Sequence, residues 1–168
     1  DYGQIIDKLT NSSSSDTLQI TIPEGYSVAQ VRQLLLDNHV CTADALDKVL
    51  NQYPFKHDFL QDEKPVEEGW LEGYLFPDTY DFYVNDDPDR VLEKMLSNFN
   101  RKFSDDASAQ LETLNTALAE RWTAKGYDES YIEAHRMTIY DLVTVASMIE
   151  KETASAKESS TIASVIYN

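Results

Sequence analysis

The sequence predicts an α+β fold of the segregated kind, a small strand-helix-helix-strand module followed by a mainly helical region. Two stretches with strand character, "TLQITIP" at 17–23 and "YLFPDTYDFY" at 74–83, enclose two segments of helical periodicity. From Asp87-Pro88 onward the apolar pattern is helical. With 168 residues and 42% hydrophobic content the chain can bury a real core, yet it is short for two full domains.

Residues 1–16 read as a leader that ends in the Ser-rich tether "NSSSSD", which has little to bury. In the first strand Leu18, Ile20 and Ile22 alternate with polar neighbours, and Pro23-Glu24-Gly25 stops it as a turn. Ser27 is placed to cap a helix carrying Val28, Val31, Leu34 and Leu35, and Thr42 to cap a second carrying Leu46, Val49 and Leu50. A lone strand leaves its backbone groups unpaired, so the module needs a second strand, and 74–83 is rich enough in aromatics to be it. Pro77 confines that strand to an edge or a bulge, because it has no N–H for the ladder. In strict alternation Tyr74, Phe76, Asp78, Tyr80 and Phe82 share one face, which reads either as core or as a platform for stacking sugar rings.

Pro88 suits a first helical position, and Val91, Leu92, Met95, Leu96 and Phe99 follow as a stripe. A second long helix is expected from about Ser104 to Lys125, stopped by Gly126, with Leu111, Leu114, Leu118 and Trp122 inward. Asp128 or Ser130 can cap a short turn in the connection, and Thr138 starts a last helix. The expected division is therefore 1–16 leader and tether, 17–83 module, and 84–168 helical region.

Composition excludes several functions. Lys and Arg total 14 against 30 Asp and Glu, a net charge of −16 that repels a phosphate backbone, so no nucleic-acid partner is expected. Cys41 is the only cysteine and has no CxxC spacing or basic activator, which makes it a small core or interface residue. His39, His57 and His135 form no HxxxH or HxH pair, so no metal site is predicted. No apolar run of 18 residues and no signal-peptide pattern is present. A first residue of Asp and an end inside the apolar "STIASVIYN" set the expectation of a piece excised from a longer parent.

The last helix carries "ASMIEKETA" at 146–154. At roughly 100° per residue, Ile139, Leu142, Val143, Ala146 and Ile149 form one apolar arc, and Glu150 falls inside it while Lys151 and Glu152 fall outside. A carboxyl turned toward an apolar surface loses hydration, which favours its neutral form and fits it to donate a proton. The other reading is a rim carboxylate that pairs with Lys157 or Arg136. Ser147, one turn before Glu150, is a candidate to orient that carboxylate by a hydrogen bond.

Three stretches, "ITIPEG" with its following helix (20–36), "LEGYLFPDTYDF" (71–82) and "ASMIEKET" with "IASVIYN" (146–168), resemble the endolytic murein transglycosylase family, called MltG or YceG-like. The resemblance implies that the strand-helix-helix-strand module is LysM-like and that the first glutamate of "IEKET", Glu150, is catalytic. Glu72, Asp78 and Tyr80 become candidates for binding or shaping the cleft, with turn and core roles as their alternative. The implied reaction is non-hydrolytic cleavage of peptidoglycan glycan strands between N-acetylmuramic acid and N-acetylglucosamine, leaving a 1,6-anhydro end, in cell wall biogenesis. A lone glutamate suits this better than hydrolysis, which usually needs two carboxylates at a fixed separation. No cofactor is implied. Also implied are a parent anchored by an N-terminal membrane helix, work on the extracytoplasmic face, and peptidoglycan synthases (penicillin-binding proteins) as further partners. Family members continue past "SVIYN", so the catalytic region is expected to be truncated, which leaves open a non-catalytic glycan-binding or synthase-interacting role.

Overall fold

A computed structural model describes residues 17–52, 56–60, 70–103, 105–152 and 159. Their order is β1 (Thr17–Thr21), α1 (Val28–Asp37), α2 (Ala43–Gln52), a 3-10 turn (Asp58–Leu60), β2 (Thr79–Tyr83), α3 (Pro88–Lys102), α4 (Asp105–Ala124), α5 (Glu129–Ala134) and α6 (Ile139–Glu152). The fold is α+β, with six α-helices and one two-stranded antiparallel sheet among the described residues. The chain divides into two compact units, one of residues 1–55 and 63–96, the other of 56–62 and 97–168. The first unit thus runs beyond residue 83 and takes in the start of α3, where Val91, Leu92, Met95 and Leu96 are all buried.

In the first unit β1 pairs with β2 in the register Thr17↔Tyr83 to Thr21↔Thr79, and the amide of Ile22 adds one more bond to the carbonyl of Asp78 at 2.9 Å. Period-two alternation then sorts the faces. Leu18, Ile20, Tyr80 and Phe82 lie opposite one another on the inner side, while Thr21 and Thr79 share a 2.8 Å hydroxyl contact on the outer side. Two strands alone are marginal in water. Burial of Val31 and Leu35 from α1 and Leu46, Val49 and Leu50 from α2 supplies the rest, at roughly 1.5–3 kcal/mol for each large side chain.

Ser27 caps α1 in a complete capping box with Gln30. At its other end the amides of His39 and Val40 return to the carbonyls of Leu36 and Leu35, both at 2.9 Å, the pattern that usually requires glycine. His39 takes that left-handed position with φ 55°. Its carbonyl accepts from the amide of Asn85, itself at φ 54°, and the carbonyl of Val40 accepts from Asp86, so the turn after α1 is tied to the turn after β2.

The second strand is shorter than the sequence suggested. Residues 71–75 form turns, with Gly73 at φ 83°, and the ladder begins only at Thr79, after Pro77 has interrupted the supply of donors. A single aromatic face from Tyr74 to Phe82 therefore does not exist. Tyr74 and Phe82 are core residues, 0% and 1% exposed, reached by different backbone routes. Cys41 is also buried, and burial first, then the Asp86 and Asp87 carboxylates, pushes its thiol up to about 11.

In the second unit Phe59 packs against Phe99 with ring centroids 4.8 Å apart, and Phe99 against Phe103 at 5.8 Å, which accounts for the 3-10 turn belonging here. Leu111 and Leu118 are buried on α4 and Leu114 half-buried, as their spacing predicted. Gly126 ends α4 at φ 87°, with its amide on Thr123 and the amide of Tyr127 on Trp122. Asp128, not Ser130, caps α5 through the amide of Tyr131 at 2.8 Å.

Candidate active site

The helix that carries Glu150 is anchored at its start. Asn115 on α4, 5% exposed, donates to the carbonyl of Met137 at 3.0 Å and accepts from the Met137 amide at 2.8 Å. One residue later Thr138 and Asp141 bind reciprocally, the Thr138 hydroxyl accepting from the Asp141 amide while the Asp141 carboxylate takes the Thr138 amide at 2.8 Å. This box starts α6 at the predicted residue.

Along α6 the expected arc exists as a direction but is not a packed face. Ile139, Leu142, Val143 and Ile149 are half-buried, Ala146 is exposed, and no residue of the helix is buried. Glu150, expected to face inward, is exposed. A wheel gives the direction in which a side chain leaves its helix, whereas burial requires a neighbour on that side, and none of the described residues buries this arc. Ser147 does not orient Glu150, because its hydroxyl donates to the carbonyl of Val143 at 2.9 Å. Arg136, one alternative partner for Glu150, pairs with Glu112, whose carboxylate raises the guanidinium further above its ordinary value. The other, Lys157, lies outside the described residues.

The remaining candidates belong to the first unit. Both carboxylate oxygens of Glu72 accept from the amide of Val28 at 3.0 Å, so a residue from the 70–75 turns supplies the negative charge that the first turn of α1 lacks. Asp78 is exposed and accepts from the amide of Thr79 at 2.8 Å. Tyr80 is buried, stacks on Phe82 at 5.6 Å and donates to the carbonyl of Phe76 at 2.7 Å. These contacts give all three a part in the fold, and Asp78 keeps an accessible carboxylate.

Two arrangements escaped the sequence reading. Asp86 is buried and gathers the amides of Tyr83 and Asp87 together with the guanidinium of Arg90, which also lies 4.9 Å from the Tyr83 ring. Only the four-residue spacing of Asp86 and Arg90 hinted at it. Tyr127, Tyr131 and His135 form a ring stack beside Trp122, and their spacing of four was legible in "YDESYIEAH". Among the described residues no group of three His, Cys, Asp or Glu is arranged to hold a metal ion, and no helix is long and apolar enough to cross a membrane.

Comparison with known proteins adds three findings. The profile of the YceG-like family matches residues 1–168. An endolytic murein transglycosylase of Bacillus subtilis is 27% identical over 181 residues, covering 100% of this chain and 43% of that protein. One from Streptococcus pneumoniae is 29% identical over 164 residues, covering 89% of this chain and 26% of its own length. The chain thus spans less than half of these relatives. The crystal structure of a YceG-like protein from Listeria monocytogenes superposes with a TM-score of 0.62 at 21% identity, over 99% of this chain and 51% of that one, a likeness of fold.

Proposed function

The chain belongs to the YceG-like family, and from that premise we propose that it is the part of an endolytic peptidoglycan lytic transglycosylase that carries the acid, Glu150. The reading is supported by the relatives bearing the transglycosylase name. Its single structural support is a carboxylate accessible on α6 beside a half-covered apolar arc. A polymer can approach Glu150 from solvent, and a sugar seated on Ile149 and its neighbours would exclude the water that otherwise favours the charged carboxylate.

On this reading Glu150 protonates the glycosidic oxygen as the bond from C1 of N-acetylmuramic acid breaks. The carboxylate so formed accepts the proton of the C6 hydroxyl, whose oxygen attacks C1 and closes the 1,6-anhydro ring. The glutamate is regenerated in its starting state and no water is consumed. The LysM-like character of the first module, contact of Asp78 with glycan, a membrane anchor in the parent, work at the extracytoplasmic face and synthase partners all belong to this proposal.

Mass spectrometry of purified glycan strands tests it. The chain is expected to generate 1,6-anhydro-muramyl ends and its Glu150→Gln variant none. Reducing ends, or anhydro ends made equally by both, would overturn the assignment. The same exposure of Glu150, on a helix with no buried residue, serves a binding-only reading equally well. Glycan retained equally by both chains, with no new ends from either, would establish that second reading.

A further inference from the structure

The aromatic stack of the second unit has no role in the reaction proposed for Glu150. Tyr127 and Tyr131 lie face to face with centroids 4.2 Å apart and planes 16° apart, and Tyr131 and His135 follow at 3.9 Å and 20°. Trp122 meets Tyr131 edge-on at 6.0 Å and His135 at 6.1 Å. The backbone of Tyr127 is fixed as well, since its amide is held by the carbonyl of Trp122 in the turn at Gly126. Stacked on one side and tied at its amide, Tyr127 is still 44% exposed. Among the described residues its hydroxyl has no hydrogen-bond partner and its second face no ring.

A scattered surface tyrosine needs no explanation. A tyrosine immobilised with one face and its phenol left open is different, because the ordering cost of binding has already been met. Its π face is electron-rich and attracts weakly positive C–H groups, while the phenol both donates and accepts. Asp128, Glu129 and Glu133 neighbour it in sequence, and the chain's net charge is −16, which disfavours a polyanion. Asp128 is committed to the α5 cap, but the exposed Glu129 and Glu133 disfavour an apolar peptide and can accept from hydroxyl and amide N–H groups. A pyranose with an apolar C–H face and an N-acetyl group matches this chemistry.

We propose that the open face of Tyr127 is a second glycan-binding site, which seats an N-acetylhexosamine unit of a β-1,4-linked strand away from Glu150 in sequence and independent of it in chemistry. The choice of a glycan rests on the reading of the function given above. The site would hold the strand while the acid acts, and would do so equally in a chain that does not cleave.

The probe is chitohexaose, added to the Glu150→Gln chain with its tyrosine rings carbon-13 labelled, so that binding is read without cleavage. Among the ten tyrosines, Tyr127 is expected to shift first and Tyr131 next. Tyr127→Ala should bind roughly tenfold more weakly and Tyr127→Phe within about threefold of the parent, as stacking outweighs the phenol. The Tyr131 to His135 ring contact, followed in the same spectra, shows whether α5 persists in each variant. A Tyr127 signal unmoved at roughly 10 mM sugar, the weak end of specific binding, would overturn the site, as would unchanged binding by Tyr127→Ala with α5 intact. A Tyr127 shift in a chain that makes no anhydro ends would sink the enzyme reading for this chain and leave this site standing. Anhydro ends with Tyr127 silent would do the reverse.

Discussion

Replacing Asn115 by alanine should loosen the start of α6 and lower the activity proposed for Glu150 without touching that carboxylate. The Asn115 amide is buried and makes a reciprocal pair with the backbone of Met137, so alanine deletes two hydrogen bonds at once. At a net 1 ± 0.5 kcal/mol each, the loss is about 2 kcal/mol, and half-burial of Met137 limits how well water can replace them. Hydrogen exchange at the Met137 amide is the sharpest assay, because it reads the local opening. About 2 kcal/mol corresponds to exchange roughly 30-fold faster. Asn115→Asp separates the two bonds: its carboxylate still accepts from the Met137 amide but faces the Met137 carbonyl with no donor, so it should be at least as harmful as alanine. Exchange within about twofold of the parent in the alanine variant, or a fully protected aspartate variant, would refute the view that this pair anchors the start of α6.

Three further outcomes are expected. Glu72→Ala should lower stability in urea by about 0.3–1 kcal/mol through loss of a charge at the α1 N-terminus, with Glu72→Gln between the two; a glycan-binding defect without a stability change would instead give Glu72 a substrate role. Cys41, buried with its thiol pushed up to about 11, should react with iodoacetamide at pH 8 at least roughly 100-fold more slowly than in the unfolded chain, where the ordinary value is about 8.5; fast labelling of the native chain would contradict the burial. The hydrogen bond from Arg32 holds the Asp47 carboxyl below its ordinary value, so the pair stabilises the fold above the unfolded value near 3.9 and the contribution disappears as pH falls through the lower folded value. Asp47→Asn should therefore cost up to about 1 kcal/mol at pH 7, discounted for the partial exposure of both side chains, and progressively less as pH falls below about 3.9.

Local signals were the legible ones. Ser27, Asp128, Thr138 and Gly126 marked helix ends correctly because capping chemistry is confined to a few neighbouring residues. Pairing of β1 with a strand inside 74–83 followed from the need of any strand for a partner, although the antiparallel sense and the late start at Thr79 were not read. What failed turned mostly on a neighbour from elsewhere in the chain. The wheel aimed Glu150 at an arc that none of the described residues buries, and Ser147 bonded its own helix instead. Glu72 was found at a helix terminus 44 residues away, which no spacing rule connects to it. His39 occupied a left-handed cap where the sequence shows no glycine, held by the carbonyl it offers to Asn85.

The sheet has a consequence for the order of events during folding. Thr21 and Thr79 are bonded across the ladder although 58 positions separate them, so closing it requires a large loop to be gathered first. Contacts of such long range form late relative to helices that join neighbouring residues. During synthesis from the N-terminus, β1 leaves the ribosome well before its partner exists, exposing Ile20 and Ile22 until residue 83 has emerged. The helices of the second unit are built from local pairings, among them the stack from Tyr127 to His135, and need no such delay. The part of the chain made first is thus the part that waits longest for its structure.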